Sequence, residues 1–100
     1  LQAQIRTIVR FHILARLQND VMRKKDLARH FAIALQRQRK SRKVTQQTLA
    51  ERADCDLTMI SLIERNLRNP SINLADSLAH GLGIPLWELI KEAEDLRQKK

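Results

Sequence analysis

One hundred residues, 43% of them hydrophobic, make one domain of ordinary size. Two Gly, two Pro, no Tyr and a surplus of Ala, Leu, Arg, Lys, Gln and Glu, with no run of alternating β-branched residues, argue against a β-rich fold and for an all-α chain. The net charge of +8 suits a polyanionic partner without choosing between nucleic acid and membrane, while the lack of any apolar run near about 18 residues and the single Cys55 argue against a transmembrane helix and an internal disulfide.

The first predicted element covers residues 2–18. Ile5, Ile8, Val9, His12 or Ile13, and Leu17 recur there at three- and four-residue steps, an amphipathic helical pattern. Asn19-Asp20 interrupts it. Asp26 is a candidate N-cap for a second helix over 27–41, with Leu27, Phe31, Ala34 or Leu35 and Gln38 on one face. One long bent helix fits the same residues. Thr45 caps a third helix over 46–53, with Leu49 and Ala50 inward; position 48 is Thr and not Glu, so the capping box is incomplete. After the short break Asp54-Cys55-Asp56, Asp56 caps a helix over 57–65 that buries Ile60 and Ile63 and carries Met59 beside them. Asn66 tolerates a left-handed ending, and Asn69-Pro70-Ser71 signals a turn. A helix over 72–80 points Ile72, Ala75, Leu78 and Ala79 inward, and Gly81-Leu82-Gly83 breaks it. Pro85 sits in the first turn of a last helix carrying Leu86, Leu89, Ile90 and Ala93, with Trp87 as its anchor on the core or, alternatively, a subunit contact. Residues 96–100 read as a polar tail.

Charge is unevenly spread. Residues 1–43 carry twelve Lys or Arg against Asp20 and Asp26, whereas residues 44–100 carry more acidic than basic side chains. Two short helices separated by three residues cannot lie far apart, and their spacing favours a steep crossing. The second, capped by Asp56, has a size that enters the major groove of B-DNA. An ordinary αα-hairpin in a bundle has the same local pattern.

The pieces FAIALQRQRKSRKVTQQTLA (31–50), ERADCDLTMISLIERN (51–66), RNPSINLADSLAHGLGI (68–84) and PLWEL (85–89) resemble the lambda-repressor-like, or Cro/Xre-type, helix-turn-helix family. The resemblance covers residues 31–90, and its specificity lies in VTQQTLA followed by ISLIERN and NPS. It implies a five-helix DNA-binding domain, here preceded by an additional N-terminal helix. The corresponding division is a helical extension over 1–26, the DNA-binding domain over 27–95 and the tail over 96–100. It further implies a transcriptional regulator that binds double-stranded DNA as a homodimer, with helix 57–65 in the major groove and residence in the cytoplasm at the nucleoid. Gln46 matches the residue that bonds phosphate and braces the recognition helix, with Gln47 beside it and Thr45 as the capping Thr. Arg39 and Glu64 match a basic–acidic pair that ties the first conserved helix to the end of the recognition helix. The DNA contacts implied are Gln46, Gln47, Leu57, Thr58, Met59, Ser61, Leu62, Arg65, Arg68 and Asn69.

Two departures from the family pattern stand out. The first two turns of helix 57–65 lack Gln, Asn, Arg and Lys, so no long bidentate base reader is available; Leu57, Met59 or Leu62 could instead pack on thymine methyls, with DNA shape assisting, or the surface could serve a protein. The family commonly has Gly where this chain has Lys43, Asp54 and Asn66; Asp and Asn accept left-handed geometry more readily than Lys, which leaves the 43 junction either reshaped or mildly strained.

The 1–26 extension dimerises, caps its own core, or contacts another part of a longer protein; the chain starts with Leu, which leaves processing or a fragment open. A membrane-surface role is disfavoured, because its basic residues do not oppose a clean apolar face. His12, His30 and His80 have no ligand spacing, so no metal or other cofactor is expected, and no nucleophile–base set points to an enzyme. Cys55 is expected to pack inward. The rival function is an interaction module, such as an antitoxin that binds a protein partner through its helical surface.

Overall fold

The computed structural model describes residues 26–99 together with Arg10. The expected extension over 1–26, with its apolar stripe, His12 and basic residues, otherwise lies outside the described residues. Among those residues every regular element is an α-helix. Residues 26–41 lie in helix α1, followed by α2 (Gln46–Ala53), α3 (Leu57–Glu64), α4 (Ile72–Gly81) and α5 (Leu86–Gln98). This is the five-helix lambda-repressor-like architecture.

Local chemistry explains where the helices start. Thr45, Asp56 and Ser71 each precede a helix in extended conformation and accept a backbone N–H through the side chain, from Thr48, Thr58 and Leu74 respectively. Pro85 flanks α5 instead of lying in its first turn. Asp26 is itself helical: its carboxylate pairs with Arg29 at 3.2 Å and its carbonyl meets His30 Nδ1, so it is not the cap expected for α1.

Four of the helices end in the same way. A residue one or two positions past each end takes a left-handed conformation, and the next backbone N–H reaches back five residues to a carbonyl of the last turn. The pairs are Val44 N–H to Arg39, Cys55 to Ala50, Leu67 to Leu62 and Ile84 to Ala79, at 2.9–3.1 Å. The left-handed residues are Lys43 (φ 57°), Asp54 (φ 53°), Asn66 (φ 57°) and Gly83 (φ 83°). The junction at Lys43 is therefore not reshaped; a lysine occupies the geometry a glycine would prefer, at a cost of about 1 kcal/mol.

All five helices supply the core: Phe31, Ala34 and Leu35 from α1, Leu49, Ala50 and Ala53 from α2, Ile60 and Ile63 from α3, Ala75, Leu78 and Ala79 from α4, and Leu89 and Ala93 from α5. Leu82 and Ile84 close it from the α4–α5 connection. Each large aliphatic side chain so buried contributes about 2 kcal/mol. Helix α2 packs on both α3 and α4, and α4 on α5. The α2–α4 approach requires Gly81, where a Cβ would come within 2.9 Å of Leu49 Cδ1. Arg52 donates to the Gly81 carbonyl at 3.2 Å and so closes the end of α4 with a positive charge.

Three expectations are corrected. Ile72 is 80% exposed: it opens α4, where the helix has not yet met the core that buries Ala75, Leu78 and Ala79. Trp87 is 64% exposed, because the inward stripe of α5 runs through Leu89 and Ala93 and leaves position 87 outside it. Residues 96–98 continue α5 instead of fraying, since Leu96 packs on the core and Arg97 pairs with Glu94 at 2.6 Å.

Candidate nucleic-acid interface

Helix α3 is held on its inner side by Ile60 and Ile63, both essentially inaccessible, and Met59 also packs against the core. Its last residue, Glu64, has a side chain only 1% exposed. A charge in such a place needs partners, and it has three contacts from two side chains. Arg39 donates from Nε to Oε2 at 2.6 Å and from Nη2 to Oε1 at 2.9 Å, and Gln46 Nε2 donates to Oε1 at 3.1 Å. The remaining arm of Arg39 reaches the Val44 carbonyl at 2.9 Å. The hydrogen bonds that Arg39 donates to Glu64 raise the affinity of its guanidinium for the proton, against an opposing effect of burial.

This clasp gathers three segments at one place: the end of α1, the connection into α2, and the end of α3. The pairing of Arg39 with Glu64 has the geometry the resemblance implied, and Gln46 joins it. The segments that the clasp joins carry exposed cations. Lys40, Arg42 and Lys43 come from the α1–α2 side, and Arg65 and Arg68 from the α3 side. Sequence reasoning did not assign residues 40, 42 and 43 to a site; the signal was their position just before Thr45 and Gln46, which the charge count absorbed into a bulk excess.

The outward side of α3 is formed by residues 57, 58, 61 and 62, which share a face at helical spacing. Leu57 is 39% exposed and Thr58 is exposed, while Ser61 and Leu62 are half-buried. Arg65 comes next on the same side, with Nε to the Ser61 carbonyl at 3.3 Å. Of the expected contact residues, the structure brings Leu57, Thr58, Ser61, Leu62 and Arg65 together and ties Gln46 to the same end of the helix. Gln47 is exposed one residue on, bonded to Glu51 at 3.1 Å. Met59 is turned away from this face because its side chain fills space beside Ile60 and Ile63. Arg68 stands exposed in the connection after α3. Asn69 borders a groove of about 290 Å³ between α1, the start of α4 and α5, lined by Leu27, Phe31, Ile72, Leu86 and Ile90 among others.

Other chemistry is sparse among the described residues. Cys55 is half-buried against the core; burial first, and then the charges of Asp56 and Asp54, push its thiol above the usual range. His80 lies 3.3 Å from Asp76 on the surface of α4. No group of three metal-ligating side chains occurs among the described residues, and no helix there is long and apolar enough to cross a membrane.

A family model described as helix-turn-helix matches residues 35–89. The immunity repressor protein of Bacillus phage phi105 is 34% identical over 62 residues, spanning 62% of this chain and 43% of that protein. The chain thus covers less than half the length of this curated relative. Among solved structures, the clp gene regulator ClgR from Corynebacterium glutamicum superimposes with a TM-score of 0.68 at 28% identity, covering 71% of this chain and 76% of the other. The restriction-modification controller protein C.Esp1396I gives 0.70 at 27% identity over 74% and 95% of the two chains. The controller protein C.AhdI from Aeromonas hydrophila gives 0.60 at 31% identity over 62% and 94%.

Proposed function

We propose that this chain, which belongs to the helix-turn-helix family, binds double-stranded DNA as a transcriptional regulator, laying the outer face of α3 in the major groove. The observation that carries this reading is the clasp at Glu64. It commits a buried bidentate ion pair to fixing a helix whose outer face has little to do with the core, and Lys40, Arg42, Lys43, Arg65 and Arg68 are exposed on the segments next to that pair in the chain. A helix presented at a defined angle, flanked by cations, is what groove entry with phosphate contacts requires. The relatives named as a repressor, a gene regulator and controller proteins support the same class of activity.

In this reading Leu57, Thr58, Ser61 and Leu62 face bases, while Gln46, Gln47, Arg65, Arg68 and the added Arg42 and Lys43 lie along phosphates. Asn69 takes part only at the edge, and Met59 only through packing. The DNA-binding unit is 27–95, 1–26 is an extension to it, and the protein works in the cytoplasm at the nucleoid. A homodimer belongs to the same reading, supported by the exposure of Ile72 and Trp87 at 80% and 64%. Trp87 is the sole tryptophan, so a concentration-dependent blue shift of its emission would report burial between subunits.

Selection from random duplex DNA at stated salt tests the proposal. Enrichment of a symmetric site is expected, with an affinity that falls steeply with salt, by about 0.9 in log–log slope for each phosphate neutralised. Arg68→Ala should weaken all duplexes alike, and Leu62→Ala should alter preference. No binding to any duplex at low salt refutes it. A second reading, a protein partner on α3, is favoured by Leu57 and by Leu67, 65% exposed just after the helix; it predicts that these leucines matter to a protein complex and not to DNA.

A further inference from the structure

The outer face of α3 holds no side chain able to read a purine through two hydrogen bonds. Guanine is read that way by Arg or Lys and adenine by Asn or Gln. Positions 57, 58, 61 and 62 hold Leu, Thr, Ser and Leu. Of the nearest long donors, Gln46 is bonded through Nε2 to Glu64, and Arg65 follows the end of the helix with its Nε on the Ser61 carbonyl. Met59, whose length could have reached a base, packs inward. What remains is an aliphatic surface led by Leu57, with two short hydroxyls that serve equally as donors or acceptors. The one feature of the major groove that an aliphatic side chain recognises is the C5-methyl of a pyrimidine.

We propose that α3 selects its sites through 5-methylpyrimidines, thymine foremost, with Leu57 as the principal contact and Leu62 as the second. This rests on the DNA-binding reading above. Thr58 and Ser61 bond to neighbouring base edges or phosphates and carry little discrimination, because a hydroxyl fits both kinds of partner. The half-sites are therefore defined by the placement of thymines on the strand that faces α3. Each contacted methyl removed from such a contact lowers affinity about fourfold, the equivalent of one buried methylene.

The experiment uses the 100-residue chain and the best duplex from random selection, remade with deoxyuridine for thymidine. That exchange removes the C5-methyl and keeps the hydrogen-bonding edges and the phosphates. Uridine within the half-sites should lower affinity about fourfold per contacted methyl, and uridine outside them should have no effect. Leu57→Ala should bind the thymidine duplex more weakly than wild type does, and should keep only the smaller part of the uridine discrimination that Leu62 carries. Thermal melting checks that the variant folds, and the uridine arm with unaltered protein does not depend on any variant. A specific site whose affinity is indifferent to uridine overturns this inference while leaving DNA binding intact. Full discrimination retained by both Leu57→Ala and Leu62→Ala also overturns it. If no duplex is enriched at all, the DNA-binding reading falls and this one with it.

Discussion

Arg39→Ala strikes the point on which the position of α3 depends. In the native chain the Glu64 carboxylate, 1% exposed, accepts two hydrogen bonds from Arg39 and one from Gln46. The substitution removes both charge-assisted bonds and the donor to the Val44 carbonyl, leaving the carboxylate with a single neutral partner. Stranding a buried charge costs about 3–5 kcal/mol. The retained Gln46 bond places the loss at the lower end, about 3 kcal/mol. For a domain of this size that lowers Tm by roughly 10–25 °C. Urea titrations followed by circular dichroism measure it directly. The sign of the pH dependence of the native clasp is also set, through Arg39. Its proton affinity is raised in the folded state, so that contribution is intact at neutral pH and is lost only above the ordinary arginine range. Replacing both partners with apolar residues, Arg39→Met with Glu64→Leu, should cost much less than Arg39→Ala alone. A loss under about 1 kcal/mol at pH 7 would refute the reasoning that the pair compensates a buried charge.

Gly81→Ala should destabilise by about 1–2 kcal/mol despite the better helix propensity of alanine, because the new methyl meets Leu49 Cδ1 at 2.9 Å and Leu49 is fully buried; a rise in Tm would show that α2 and α4 can separate cheaply. Lys43→Gly should stabilise by up to about 1 kcal/mol, since relief of the left-handed geometry at φ 57° outweighs the added freedom of the unfolded chain, and Asn66→Gly should gain less because asparagine already tolerates it; equal Tm shifts for the two would contradict this. The Cys55 thiol should alkylate more slowly at pH 8 than a cysteine in a short peptide, because burial and then Asp56 and Asp54 reduce its thiolate fraction; rates equal to the peptide's would contradict the packing of Cys55 against the core.

The sequence by itself determined helices α2 to α5 and the caps that open α2 and α3. Thr45 and Asp56 mark the starts of α2 and α3 because a short side-chain oxygen next to an apolar-periodic run has one local use, and that use needs no tertiary partner. The resemblance placed Arg39 opposite Glu64 across 25 positions, and it marked Lys43, Asp54 and Asn66 as positions where the family has Gly, leaving the geometry at 43 open; the backbone is left-handed at all three. Periodicity alone was less dependable at helix ends. It assigned Ile72 to the core and made Trp87 an anchor, since an apolar residue in step with a stripe looks the same whether or not another helix lies over it. Only the tertiary structure decided which side chains of α3 are free. Met59 and Leu57 are alike in composition, but the space beside Ile60 and Ile63 admits one and leaves the other in water. Likewise, the cations at 40, 42 and 43 became part of a site only when Arg39 drew the end of α1 against Glu64, because charge is a property of residues whereas a charged surface depends on which segments packing brings together.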